Sequence, residues 1–186
     1  CDMFPPSSRT NSDMRWFEST IGPIATVEVL IHFPDVSRDD LLNQVRWVQA
    51  IEESLQENTS VGGVSSVATF VPSWPKGSNV RAAVVRSVLK NRIESGMEEF
   101  EKKGLVHADL DGRTWRLMAK VSAVSSSSYG EITESLKQTV MGTIQADPSG
   151  TNQKPDKAEF TGLSPVMNDT QIALLQDLGL SFLSAF

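Results

Sequence analysis

One stretch of the sequence decides the fold: ATVEVLIHF, which runs from Ala25 to Phe33. Apolar and polar residues alternate along it, and in a strand this period of two places successive side chains on opposite faces. The apolar face carries Val27, Val29, Ile31 and Phe33, and the other face carries Thr26, Glu28, Leu30 and His32. Pro34 follows and removes a donor for ladder hydrogen bonds, so the strand should end there. The stretch therefore predicts a strand with one face buried in a core.

A helix and a second strand are predicted next. The sequence Ser37-Arg38-Asp39-Asp40 has the pattern of a helix start with an acidic first turn. Apolar residues then recur at helical spacing, at Leu41, Val45, Val48, Ile51 and Leu55. This helix should end near Asn58, and Gly62-Gly63 should turn the chain into a strand over residues 64–71. The first unit is thus β-α-β.

A long helix separates this unit from the next one. The pattern predicts it from about Val80 to Lys103, with Asn79 as its cap and Gly104 just beyond its end. Its apolar stripe is predicted to contain Val85, Val88, Leu89, Ile93, Met97 and Phe100. A short strand over residues 105–109 and a tight turn at Asp111-Gly112 should follow.

The second half repeats the β-α-β order. Residues 114–123 alternate again, with four side chains predicted to point inward: Trp115, Leu117, Ala119 and Val121. An amphipathic helix is marked by Ile132, Leu136, Val140 and Ile144. The last strand should span residues 158–163.

Two such units in tandem predict an α+β fold, a ferredoxin-like split β-α-β sandwich with a four-stranded antiparallel sheet and helices on one face. The first and third strands should pair antiparallel in the middle, so Glu28 should contact Arg116 or Lys120 across them. We expect a single domain with five parts: a lead-in at 1–24, the first unit at 25–72, an inserted helix and hairpin turn at 73–112, the second unit at 113–163 and a C-terminal linker helix at 164–186.

The two ends of the chain carry their own signals. Trp16-Phe17 in the lead-in is expected to cover an edge of the core. The helix predicted after Asn168 or Asp169 carries no charge beyond Asp177, and the sequence stops without a helix-ending residue. We therefore expect the chain to be a piece of a longer protein whose apolar end leads toward a membrane.

Composition excludes one class of partner. The chain has 17 basic and 23 acidic residues, a net charge of −6 and a pI near 4.9. A nucleic-acid-binding domain needs a basic surface to replace the counterions of phosphate groups, so no nucleic-acid partner is expected. The single cysteine, Cys1, cannot form an internal disulfide.

No residue pattern announces a catalytic, cofactor or metal site. Asp109-Leu110-Asp111-Gly112 is interpreted as a hairpin turn, since an EF-hand calcium loop needs an oxygen ligand at position 1 and a glutamate at position 12, where this chain has His107 and Met118. His32 and His107 are interpreted as structural or surface residues, because no nucleophile motif accompanies them. An acylphosphatase-like hydrolase would share the fold class, but Arg38, its one candidate for binding an anion, has two acids beside it. We expect no enzyme activity, cofactor or metal.

Several short motifs, taken in order, resemble those of a known family. They are Ile21-Gly22-Pro23-Ile24 before Val27-Glu28-Val29, the helix from Leu41 through Val48-Gln49, Gly62-Gly63-Val64-Ser65-Ser66, Thr69-Phe70, Asp111-Gly112, Trp115-Arg116 and Phe160-Thr161-Gly162-Leu163-Ser164-Pro165-Val166. Over about residues 15–186 the chain is similar to the extracytoplasmic domains of resistance-nodulation-division (RND) exporters, in particular the subgroup that exports hydrophobic compounds and lipids. In that family a strand ending in Thr-Gly precedes a linker helix that enters the second membrane span.

The resemblance implies a porter-like domain on the periplasmic side of the bacterial inner membrane, between the first and second membrane helices of a proton-driven exporter. Its partners would be the membrane helices and second porter domain of the same chain, a hydrophobic or amphiphilic substrate, and possible further copies in a homo-oligomer. The proton-carrying carboxylates of such pumps lie in membrane helices, so none maps onto this chain. The domain would serve substrate passage and conformational coupling.

Two sets of residues are candidates under this interpretation. Trp74, Met97 and Phe100 are candidates for contact with substrate or a partner, the alternative being core or interface residues. Leu174, Leu175, Leu178 and Phe182 would belong to the helix that couples sheet to membrane. The alternative function is a free-standing ferredoxin-like ligand-binding or regulatory module that dimerises through its C-terminal helix.

Overall fold

A computed structural model describes residues 7–34, 41–75, 80–124, 129–147 and 153–162, together with positions 174 and 177. The helices are α1 (Arg9–Thr20), α2 (Leu41–Gln56), α3 (Val80–Lys102) and α4 (Tyr129–Ala146). The strands are β1 (Ala25–Phe33), β2 (Val61–Ser65), β3 (Val106–Ala108), β4 (Arg113–Val121) and β5 (Lys157–Thr161). The predicted capping sequence at residues 37–40 lies outside the described residues.

The strands form one antiparallel sheet in the order β5-β1-β4-β2, and β3 pairs with the other end of β4. The predicted α+β fold is confirmed, and the sheet and helices are consistent with a ferredoxin-like sandwich. As expected, β1 and β4 pair antiparallel in the middle of the sheet, with Val29 opposite Leu117.

The core lies between the sheet and the helices α2 and α4. The inward residues predicted for β1 and β4 are all buried, as are the predicted inward residues of α2 and Ile132, Leu136 and Val140 of α4. Helices α2 and α4 contact each other, α2 contacts β2 and β4, and α4 contacts β5. On the opposite face, the polar side chains of β1 stay partly exposed, so the two faces of the sheet differ as the alternation predicted.

The strand predicted over residues 64–71 is wrong in its second half. The strand β2 is Val61–Ser65, and Val67–Phe70 form a turn of 3₁₀ helix. Ser66 caps this turn, because its Oγ accepts from the backbone N–H of Ala68 while the Thr69 hydroxyl accepts from the backbone N–H of Ser66. These local hydrogen bonds offer the backbone an alternative to a sheet ladder, which overrides the strand propensity of the valines.

Two predictions about apolar positions also need correction. Trp16-Phe17 does not cover a core edge: Trp16 is 65% exposed, and every residue of α1 stays at least partly exposed. In α3, Leu89, Ile93 and Phe100 are buried as predicted. Val88 is 53% exposed, because it lies off the helix face that these three residues form with Ala82. Gly104 does follow the helix, with a left-handed φ of 65°.

Candidate functional site

The chain enters and leaves the sheet at the same end. Ala25, the first residue of β1, pairs with Val121 at the end of β4. Strand β5 runs antiparallel beside β1 and finishes there too, with Thr161 opposite Glu28. A Cβ on Gly162 would lie 3.0 Å from the carbonyl oxygen of Thr26, so the exit of the chain touches its entry. We call this end, marked by Ala25, Val121 and Gly162, the entry–exit end.

Helix α1 is fixed to the entry–exit end by one carboxylate. Glu18 Oε2 accepts from the hydroxyl of Ser122 at 2.6 Å, and Glu18 Oε1 accepts from the backbone N–H of Ala123 at 2.7 Å. Hydrogen bonds to a charged acceptor are among the stronger ones in proteins. The chain then turns at Gly22, whose φ of 115° suits glycine alone, and runs into β1. The aromatic residues of α1 are therefore held at this end without being buried.

A groove lies between the C-terminal end of α1 and the edge strand β2. It has a volume of about 430 Å³, in the range of ligand-binding clefts. Its lining residues are Phe17, Ile21, Gly22, Pro23, Ile24, Gly62, Gly63, Val64, Ser65 and Lys120. We call it the α1–β2 groove.

Two neighbouring glycines shape the α1–β2 groove in different ways. A Cβ on Gly62 would overlap the ring of Pro23, so only glycine lets β2 approach the segment before β1 so closely. A Cβ on Gly63 would meet nothing within 4 Å, which leaves open space at that point of the groove. The first glycine thus closes the groove wall and the second keeps the interior free.

The groove combines an apolar wall with one cation. Ile21 is 68% exposed, and Phe17 and Ile24 are exposed as well, although all three are large apolar side chains. Lys120 is exposed on the outer face of the sheet, opposite Thr26 of β1 and Gly63 of β2. Among the described residues, no carboxylate forms an ion pair with Lys120. The groove can therefore offer both apolar contact and a positive charge.

The residues singled out in the sequence as contact candidates lie elsewhere. Phe100 is buried and packs at a ring-centroid distance of 6.4 Å from Phe70. Trp74 packs against the core with the guanidinium of Arg46 4.8 Å from its ring centroid, and Met97 also packs against the core. The structure thus pairs Phe100 with Phe70, while none of the three candidates lines the α1–β2 groove.

Of the coupling residues, Leu174 is helical and 57% exposed. Leu175, Leu178 and Phe182 lie outside the described residues.

The sequence pattern did not predict the α1–β2 groove, because its walls come from segments some forty residues apart. Two sequence features could have indicated the groove, namely the adjacent glycines 62–63 and the apolar residues just before β1.

A second, smaller polar cavity of about 140 Å³ lies beside α2 and is lined in part by Gln49, Glu52 and Ser73. The carboxylate of Glu52 accepts from the hydroxyl of Ser66, and Gln49 Nε2 donates to the Pro72 carbonyl at 2.8 Å. Burial raises the pKa of Glu52, the hydrogen bond from Ser66 lowers it, and the charge of Glu53 raises it further, leaving it above the ordinary value. These contacts tie the 3₁₀ turn and the segment after it to α2.

The histidines and the acidic turn have structural partners. His32 Nδ1 lies 2.7 Å from Asp156 Oδ1, and the backbone N–H of Asp156 donates to the His32 carbonyl, which joins β1 to the residue before β5. Asp109 accepts from the backbone N–H groups of Asp111 and Gly112, as in a tight turn. Within the described ranges, no group of three or more His, Cys, Asp or Glu side chains is arranged to hold a metal ion.

No protein-family model matches the chain, and a search of curated proteins finds no match. In the part of the chain that the structure describes, no helix is both long enough and apolar enough to cross a membrane.

Proposed function

We propose that this chain is the extracytoplasmic domain of an RND-type exporter of hydrophobic or amphiphilic substrates, inserted between two membrane helices of a longer protein. In this role it provides a passage for substrate and transmits conformational change, and it performs no chemistry. Its partners are the membrane helices and the second porter domain of the same chain.

The observation that carries the proposal is the juxtaposition of chain entry and exit. Neighbouring strands lie about 4.8 Å apart, and packed membrane helices lie about 8–10 Å apart. A domain inserted between two such helices must therefore receive and return the chain at nearly the same point. Ala25 and Gly162 lie at the same end of the adjacent strands β1 and β5, and α1, which precedes Ala25, is held at this end through Glu18, so the described part of the chain supports such an insertion.

The motifs that carry the family resemblance support the same proposal, because three of them converge in space. Pro23 packs against Gly62, and Thr161-Gly162 lies beside the start of β1. These three segments are separated by about forty and a hundred residues in the sequence, yet all lie at the entry–exit end.

Coupling between sheet and membrane falls to the helix predicted after residue 166. Since this helix follows β5 in the sequence, a shift of the helix would be transmitted to the pair β1–β5. Coupling of this kind requires an element with two arrangements that both sites bias. The residues that would carry it are Leu174, Leu175, Leu178 and Phe182.

The reading frame that contains this chain tests the insertion directly. The proposal predicts apolar runs of about 20 residues shortly before Cys1 and shortly after Phe186. A frame that lacks both runs would contradict it.

A transport assay tests the coupling helix. In cells that express the full-length protein, Leu178→Asp with Leu183→Asp should abolish efflux of a lipophilic dye. Leu110→Asp is the matched control, because Leu110 is fully exposed in the turn before β4 and should tolerate the charge. Efflux that survives the double substitution would contradict the coupling role.

A further inference from the structure

We propose that the α1–β2 groove is a binding site for a single-chain anionic amphiphile, one acyl chain with a carboxylate or phosphate head group. This names a substrate class for the exporter and rests on the proposed function for its physiological meaning. The binding itself depends only on the groove.

The apolar part of the ligand is specified by the wall of the groove. Phe17, Ile21 and Ile24 are exposed side by side at the end of α1 and the start of β1. Removing these side chains from contact with water favours the binding of an apolar chain. The groove has a volume of about 430 Å³, which leaves room for one acyl chain against these three residues.

Lys120 would bind the anionic head group, because the carboxylates near it already have other hydrogen-bond or ion-pair partners. Glu28, diagonal to Lys120 across the central strands, pairs with Arg116. Glu18 lies near the end of β4, where it accepts from Ser122 and Ala123. Lys120 is thus a cation without a described counterion at the margin of the α1–β2 groove, in a chain of net charge −6.

The net charge makes the choice of head group testable. If an amphiphile bound only through the overall field of the chain, a cationic head group would bind best, because the chain is acidic. If Lys120 selects the ligand, an anionic head group binds best despite the net charge. The two explanations predict opposite orders of affinity.

The test is an NMR titration of the 186-residue chain, below the micelle concentration, with decanoate, decyltrimethylammonium and decyl maltoside. Decanoate should shift the backbone amides of Gly62, Gly63 and Lys120 in a saturable way and bind more tightly than the other two. Lys120→Ala should weaken decanoate binding roughly three- to tenfold and leave decyl maltoside unchanged. Lys137→Ala, which removes an exposed lysine of α4 that does not line the groove, should change neither.

A second variant tests whether the acyl chain of the ligand binds in the groove. Gly63→Leu directs a side chain into the open space of the groove, and its Cβ meets no neighbour, so the fold should survive. It should abolish binding of decanoate and of decyl maltoside while the melting temperature is kept. The proposal is overturned if decyltrimethylammonium binds more tightly than decanoate. It is also overturned if Lys120→Ala leaves the decanoate affinity unchanged, or if Gly63→Leu still binds decanoate and decyl maltoside.

Transport by the full-length protein separates this inference from the proposed function. If decanoate does not bind but dye efflux persists, the exporter stands and the groove proposal fails. If decanoate binds as described but the parent protein shows no efflux, the groove stands and the exporter proposal fails.

Discussion

Glu28 on β1 and Arg116 on β4 form an ion pair diagonally across the two central strands, on the face of the sheet opposite the helices. Leu30 stands directly across from Arg116, and Met118 stands directly across from Glu28. Both charged side chains are partly shielded from water, and Arg116 Nε has no hydrogen-bond partner among the described residues. The pair therefore fixes the register of the central strands at a place where its charges are screened less than those of a fully exposed pair.

A double-mutant cycle measures this register lock. Glu28→Gln, Arg116→Gln and the double variant should give a coupling free energy of about 0.5–1 kcal/mol in urea unfolding. The coupling should shrink in high salt, but less than that of Glu98 and Lys102 on α3, which are both far more exposed. An equal fractional loss of coupling in high salt for the two pairs would show that the shielding has no effect.

The paired glycines of β2 should respond in opposite ways to alanine. Gly62→Ala should lower the free energy of unfolding by about 1–3 kcal/mol, because the new methyl group overlaps the Pro23 ring. Gly63→Ala should leave stability unchanged or raise it by about 0.5 kcal/mol, because the site is open and alanine loses less backbone entropy on folding. Chemical denaturation of both variants is the measurement, and similar effects at the two positions would contradict the described approach of β2 to Pro23.

The buried carboxyl of Glu52 should make the protein lose stability as the pH rises. Its pKa is raised in the folded state, so just above the ordinary pKa of a glutamate the folded state binds more protons than the unfolded state. The contribution is complete below the unfolded pKa and is lost as the pH rises through the folded pKa. Glu52→Gln should flatten this part of the stability–pH profile and still accept from the Ser66 hydroxyl.

Glu99 is the matched control for that experiment. The hydrogen bond and charge of Lys103 lower the pKa of this exposed residue, so its contribution has the opposite sign, being present at neutral pH and lost as the pH falls. Glu99→Gln should leave unchanged the fall in stability that accompanies rising pH above the ordinary pKa of a glutamate. A Glu52→Gln variant whose profile matches that of the natural protein would rule out the role assigned to burial.

A buried amide should be costly to remove. Gln44 Oε1 accepts from Arg113 Nη1 at 2.9 Å and from Trp115 Nε1 at 3.1 Å, and all three residues are buried. Gln44→Leu should destabilise the protein by about 1–3 kcal/mol, because it removes an acceptor that two buried donors share. Gln138→Leu, at an exposed position on α4, should cost less than about 0.5 kcal/mol in the same thermal unfolding assay. A Gln44 variant no less stable than the Gln138 variant would contradict the network.

Periodicity was sufficient to predict most of the sheet and its faces. The alternation in β1 and β4 identified their buried residues. The contact of Glu28 with a basic residue of β4 was predicted from the strand order, and Glu28 pairs with Arg116. The helical spacing in α2 predicted its buried face for the same reason, since burial follows the period of the backbone. These features depend on local patterns that tertiary contacts reinforce.

Other features depend on contacts that a local pattern does not reveal. The 3₁₀ turn at Val67–Phe70 replaces a strand because Ser66 and Thr69 form local hydrogen bonds with the backbone. Both residues are visible in the sequence, but the strand propensity of the valines favoured a strand. The α1–β2 groove forms because Glu18 reaches Ser122 and because Gly62 admits Pro23, two contacts between distant segments. Since neither contact follows from spacing, the groove emerges only in the folded chain.

The side of the membrane on which the domain lies tests the central claim most directly. In the full-length protein with Cys1 and every other native cysteine replaced by serine, Ser87→Cys provides one thiol on the exposed surface of α3. A maleimide that cannot cross the inner membrane should label this thiol in intact spheroplasts as fully as in lysed ones. Labelling that appears only after lysis would place the domain in the cytoplasm and contradict the exporter interpretation.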